Sequence, residues 1–299
     1  MDGNNRLISN NYVHRPLEGL LSIKKDEISD ADIFGVISYL EKKISSEPEG
    51  RVIDLALLFY LIRILQKTNV DFFVKGGFVM QYYLGSFARP TVDVDIIINS
   101  DPDVLAKKLE NELSAYNESI SFKIGFYAKS KASAGYYYDG FTFDIDVFHF
   151  EQKLTQIRLD GIYGPMLDRI SPVIYEGPEI VQENFVFKGV PKEYVMAEKI
   201  MAITNELPRP FKHAVDVYSL IHTDVDVLLL KHYLDIILSQ DNEVRKRLGK
   251  RTGPYVYEIK EDKKLLGPFF WAIIQAGYNV PAEEMIKEIN LWMEKNLRD

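Results

Sequence analysis

Two segments of the chain alternate in the same way. In Val92-Asp93-Val94-Asp95-Ile96, and again in Phe141-Thr142-Phe143-Asp144-Ile145-Asp146-Val147, apolar residues take every second position and carboxylates or a hydroxyl take the others. Side chains two apart on a β-strand lie on one side of the sheet. Each segment therefore predicts a strand with one face in a core and the other carrying two acids. That constrains the fold: it needs a sheet with helices over its apolar side.

The rest of the chain supplies those helices. Ser29 can cap a helix in which Ile33, Ile37, Leu40 and Ile44 recur at helical spacing, and Glu47-Pro48-Glu49-Gly50 ends it. A second helix, about 51–68, is apolar nearly all round and predicts burial. Phe72-Phe73-Val74 reads as a short strand ending at Lys75-Gly76-Gly77, and Phe78 to Leu84 as a short helix. Strands are expected near 91–98, 119–126 and 141–150, with a helix over 103–113 capped by Asp101 or Asp103 and a hairpin-type turn at Asp139-Gly140. Residues 155–190 read as strands and loops. After Pro191 the pattern turns helical, over about 191–205, 210–222, 226–239, 262–277 and 282–296. The expectation is a mixed α+β chain: a lobe of residues 1–190 with N-terminal helices, then a helical lobe of residues 191–299. Residues 1–26 read as a loosely held arm.

Composition narrows the chemistry. With no cysteine among 299 residues, disulfides, zinc-thiolate sites and thiol nucleophiles are excluded. The net charge of −8 argues against a protein that coats long DNA through its phosphates. No apolar run is long enough to span a bilayer, and the first residues lack a secretory signal; a cytoplasmic location is expected.

Three elements carry chemistry. A strand that ends in Gly76-Gly77 and runs into a helix exposes backbone N–H groups and lets an anion approach closely, which favours phosphate; a tight turn is the competing reading. Asp93 and Asp95 present two carboxylates in parallel. Left alone they repel, and a divalent cation such as Mg²⁺, which takes oxygen ligands and often shares them with substrate phosphates, relieves the cost. Asp144 and Asp146 repeat the arrangement. If the two strands are neighbours, three or four carboxylates converge, as two-metal nucleotidyl transfer requires. Either Asp144 or Asp146 fits as the third carboxylate; Asp146 is preferred slightly, because Asp144 lies nearer the Asp139-Gly140 turn.

The run Lys75-Gly76-Gly77 followed by Arg89-Pro90-Thr91-Val92-Asp93-Val94-Asp95 resembles the polymerase-β-like nucleotidyltransferase superfamily, and more closely its AbiEii/MenT toxin branch. That branch carries a later lysine on a helix, matched by Lys199 in Tyr194-Val195-Met196-Ala197-Glu198-Lys199, and an aspartate on the next helix, matched by Asp216. The resemblance spans about residues 70–222. It implies a polymerase-β-like core and a Mg²⁺-dependent transfer of NMP from NTP to an acceptor, with two ions. Asp93, Asp95 and Asp146 (or Asp144) would hold metal, with one of the latter two as base. Gly76, Gly77, Arg89, Thr91 and Lys199 would contact the nucleotide, and Asp216 would order the site. It also implies a tRNA 3′ end as acceptor and a cognate antitoxin as partner. Gly77 stands where many nucleotidyltransferases have serine, and Thr91 where some members have serine; its hydroxyl could itself become an acceptor.

Weaker features are the basic cluster Arg245-Lys246-Arg247 with Lys250 and Arg251, readable as an RNA contact or a solvated helix end, and tyrosines 136–138, readable as a base-stacking surface or hairpin filling. Two other functions fit the same residues: a nucleotidyltransferase acting on a small cationic acceptor such as an antibiotic, and a catalytically inactive fold kept for binding.

Overall fold

The computed structural model describes residues 12–13, 49–84, 91, 93–114, 120–133, 138–149, 152–176, 186–204, 211–250, 252, 255–259, 273 and 278–298. The helix expected after Ser29, Arg89, Tyr136, Tyr137, Arg251 and nearly all of 262–277 lie outside them. The chain divides into two compact units. One comprises residues 1–82, 91–128 and 141–190; the other comprises 83–90, 129–140 and 191–299. The second thus takes in two stretches from the N-terminal part besides the helices after Pro191.

Among the described residues, the first unit is built on one mixed sheet of eight strands. These are β1 (Tyr12–Val13), β2 (Phe72–Lys75), β3 (Asp93–Ile98), β4 (Ile120–Ser130), β5 (Asp139–His149), β6 (Gln152–Tyr163), β7 (Val173–Glu176) and β8 (Val186–Gly189). They lie in the order β1-β7-β8-β2-β3-β6-β5-β4. β3 pairs antiparallel with β2 and parallel with β6. The arm read as loose contributes β1, which pairs parallel with β7 at the sheet edge.

Helix α1 (Glu49–Lys67) buries Leu57, Leu58, Leu61, Ile62, Ile64 and Leu65, as its all-round apolarity predicts. It stops where the Thr68 hydroxyl donates to Leu65 O at 2.6 Å and Asn69 takes φ 51°, a left-handed position that asparagine tolerates. Helix α2 (Gly76–Leu84) follows β2 directly. Helix α3 (Pro102–Ser114) starts with proline in its first turn and with Asp101 Oδ1 accepting from Asp103 N at 2.9 Å, so Asp101 is the cap. It buries Leu105, Leu109 and Leu113, one turn apart.

Two expectations about the sheet are corrected. Strands β3 and β5 are not neighbours, because β6 returns between them. And Asp139-Gly140 is not the turn but the start of β5: Asp139 accepts from Ala132 N and from Lys131 Nζ, each at 2.8 Å, which ties it across to the end of β4.

The second unit contains α4 (Lys192–Thr204), α5 (Phe211–Ile221), α6 (Val227–Arg247) and α7 (Ala282–Leu297). Helix α4 packs against α5 and α6, and α5 against α7. Tyr194 of α4 is fully buried and meets Tyr233 of α6 edge-on, with ring centroids 5.5 Å apart. Asp226 caps α6 by accepting from Leu229 N at 3.0 Å.

Candidate active site

On β3 the burial alternates as the sequence requires: Asp93 and Asp95 are half-buried, while Val94 and Ile96 are fully buried. The diglycine then meets this strand. Gly76 has φ +70°, and a Cβ on it would lie 2.0 Å from Asp95 Oδ2. The carboxylate therefore fills the space that any other residue would need at the helix start. A Cβ on Gly77 would stand 3.1 Å from Thr91 Oγ1. That hydroxyl donates to Asp93 Oδ1 at 2.7 Å. Both glycines thus touch the acid pair, one directly and one through Thr91.

Strand register extends the acidic face sideways. Asp93 is opposite Arg158 of β6, and Asp95 is opposite Asp160. On the far side of β6, Asp144 meets Arg158 and Thr142 meets Asp160. Two rows result: Asp93, Arg158, Asp144; and Lys75, Asp95, Asp160, Thr142.

Asp160 is the acid that sequence reasoning missed. The Thr142 hydroxyl donates to it at 2.6 Å. Burial raises its pKa, with the charges of Asp93 and Asp144 adding to the rise; the Thr142 bond and Arg158 oppose it. The strict alternation Gln156-Ile157-Arg158-Leu159-Asp160 was the available signal.

Asp144 is engaged by Arg158, whose Nε and Nη2 donate at 2.8 and 3.4 Å. Asp146 lies one row further from the diglycine, opposite Gln156, which donates to it at 2.8 Å. Lys153 Nζ is 2.6 Å away. The bonds from Lys153 and Gln156 hold the Asp146 carboxyl below its usual pKa. The structure brings Asp93 and Asp95 together and sets Asp144 beyond Arg158. Asp146, which the sequence favoured slightly as the third carboxylate, is not grouped with them, because β6 intervenes and Lys153 and Gln156 engage it.

Among the described residues, no group of three or more His, Asp or Glu side chains is arranged to hold a metal ion unaided. Asp93 and Asp95, on one strand face beside a helix start, nonetheless fit the way Mg²⁺ is held with nucleotides, by one or two carboxylates together with substrate phosphates.

In the second unit, Lys199 Nζ of α4 donates to Asp216 Oδ2 of α5 at 2.5 Å, and both side chains are 5% exposed. Of the basic cluster, Arg245 is bound to the buried Asp241 at 2.6 Å and lies over the Tyr255 ring, while Arg247 Nη2 donates to Ala132 O. Two of its cations are therefore used in packing. No helix among the described residues is long and apolar enough to cross a membrane.

A mixed α/β sheet on which a diglycine helix start meets an Asp-x-Asp strand is the architecture of a nucleotidyltransferase. A family model for the nucleotidyl transferase AbiEii toxin, type IV toxin–antitoxin system, matches residues 60–295. The chain belongs to that family. Similar solved structures include JHP933 from Helicobacter pylori, at 13% identity over 81% of this chain and 94% of that one, with a TM-score of 0.41. Another is an antigenic nucleotidyltransferase-like protein from Paracoccidioides brasiliensis, at 15% identity over 67% and 94%, with a TM-score of 0.38. No curated protein matches the chain.

Proposed function

We propose that this nucleotidyltransferase moves NMP from a nucleoside triphosphate to the terminal hydroxyl of an RNA, with a tRNA 3′ end as the acceptor the family resemblance favours, and that it depends on Mg²⁺. The observation that carries this reading is the contact of Asp95 with Gly76. A carboxylate that would suit a cation there stands against a helix start that would suit phosphate, which supports the reading.

The residues then divide the work. Backbone N–H groups at the start of α2 face the triphosphate, and the absent side chains of Gly76 and Gly77 let it come close. Thr91 holds one oxygen of Asp93, so the carboxylate has a fixed direction. Asp93 and Asp95 would hold Mg²⁺, which when bound offsets phosphate charge and polarises the phosphorus under attack. Asp160, with its raised pKa, is the base that takes the proton as the acceptor hydroxyl bonds to the α-phosphorus and pyrophosphate leaves. Lys199 carries over from the resemblance as a phosphate-directed cation, held by Asp216. Arg89 carries over as a second phosphate contact.

The test is a transfer assay with each radiolabelled NTP and either bulk RNA or an aminoglycoside as acceptor, with Mg²⁺ or with a chelator, on the full chain and on Asp93→Asn. Label entering RNA only with Mg²⁺ and intact Asp93 supports the reading. Label transferred equally by Asp93→Asn, or into aminoglycoside but not RNA, overturns it.

A further inference from the structure

Arg158 is a cation in the middle of an acidic face. It sits opposite Asp93 across the β3–β6 pair, and its Nε and Nη2 are docked on Asp144. The charges of Asp93 and Asp160 act on it as well. Its side chain is 53% exposed, whereas that of Asp144 is 14% exposed. The acid is thus the buried anchor and the guanidinium the outward group. Among the described residues Nη1 makes no hydrogen bond.

We propose that Arg158 binds a substrate phosphate and that Asp144 is its positioning residue rather than a metal ligand. The proposal rests on the nucleotidyltransferase reading and goes beyond it by naming a phosphate contact on β6. Three acids gathered near one point favour a cation but cost charge repulsion; one fixed arginine relieves that cost. A plain charge offset would be met equally by lysine. A planar fork clamped along one edge leaves its other edge set for a tetrahedral oxyanion, which lysine cannot imitate. An arginine held by a carboxylate behind it also loses little freedom when phosphate arrives. The phosphate has two possible sources: the NTP, or the backbone near the acceptor end.

The experiment measures steady-state transfer by the full-length protein with wild type, Arg158→Lys, Arg158→Ala and Asp144→Asn, varying NTP at fixed RNA and RNA at fixed NTP, all at saturating Mg²⁺. Calorimetric binding of a non-hydrolysable NTP analogue gives a readout apart from turnover. The expected result is a KM increase of about tenfold for Arg158→Lys, larger than its change in kcat, and a similar one for Asp144→Asn. A rise in KM for NTP, with weaker analogue binding, assigns the triphosphate; a rise in KM for RNA alone assigns the acceptor backbone. Arg158→Lys keeps the charge, so it remains informative if Arg158→Ala fails to fold. Unchanged KM for both substrates in Arg158→Lys, or restored wild-type behaviour by any cation at this position, overturns the proposal. Absence of transfer by wild type would instead defeat the nucleotidyl-transfer reading, and analogue binding by wild type and Arg158→Lys would still decide the arginine's role.

Discussion

The Asp95 carboxylate occupies the volume that a side chain on Gly76 would need: a Cβ there would stand 2.0 Å from Oδ2. Glycine at this position is therefore demanded twice, by the neighbour and by a φ of +70°. Gly76→Ala should cost at least ~1–2 kcal/mol of stability from the backbone alone, plus displacement of Asp95. Urea unfolding checks the first effect and the transfer assay the second. A variant as stable and active as wild type would show that the contact is not needed.

Thr91 fixes Asp93 through a 2.7 Å bond. Thr91→Val, of nearly the same shape, should lower kcat/KM by roughly tenfold, about 1.4 kcal/mol, while Thr91→Ser keeps most of it. Full activity in Thr91→Val together with loss in Thr91→Ser would mean that the methyl, not the hydroxyl, matters.

Asp160 sets a pH dependence. Burial holds its folded pKa above the ordinary aspartate value of 3.8, so between the two the folded state binds more protons than the unfolded one. Stability contributed by this group is then present at low pH and lost as pH rises through the folded pKa. Asp160→Asn, which keeps a partner for Thr142, should raise the melting temperature at neutral pH and flatten that decline, while abolishing transfer. Melting curves from acid to neutral pH, read beside the transfer assay, test both parts.

Lys199 and Asp216 form a buried pair at 2.5 Å. Asp216→Ala strands the ammonium and should cost ~3–5 kcal/mol. Replacing both, as Lys199→Met with Asp216→Leu, should recover most of that stability. If the pair serves only the core, transfer returns with stability; the role assigned here predicts a stable but inactive protein.

The sequence disclosed the parts of this site that are local. Val92 to Ile96 shows its two faces within five residues, and Gly76-Gly77 marks a strand-to-helix junction without help from elsewhere. What it hid is the pairing between distant strands. Alternation places Asp144 and Asp146 on one face but says nothing of what lies beside β5. Only the return of β6 puts Arg158 and Asp160 next to β3. The Asp139-Gly140 dipeptide misled for a related reason. A turn propensity yields when the aspartate finds partners across the sheet, here Ala132 and Lys131. The helices after Pro191 follow local periodicity and were legible near 191–205, 210–222 and 282–296, whereas α6 runs on to Arg247, past the expected end at 239.

The parallel pairing of β3 with β6 also governs when the enzyme can exist. Asp95 and Asp160 share a row although 65 positions separate them in the chain. Such distant pairings form late, since a long loop must close before they reward it. A growing chain still on the ribosome cannot assemble the acidic face until β6 has emerged and docked on β3. A product that stops short of β6 would therefore lack the face on which Asp95 and Asp160 meet.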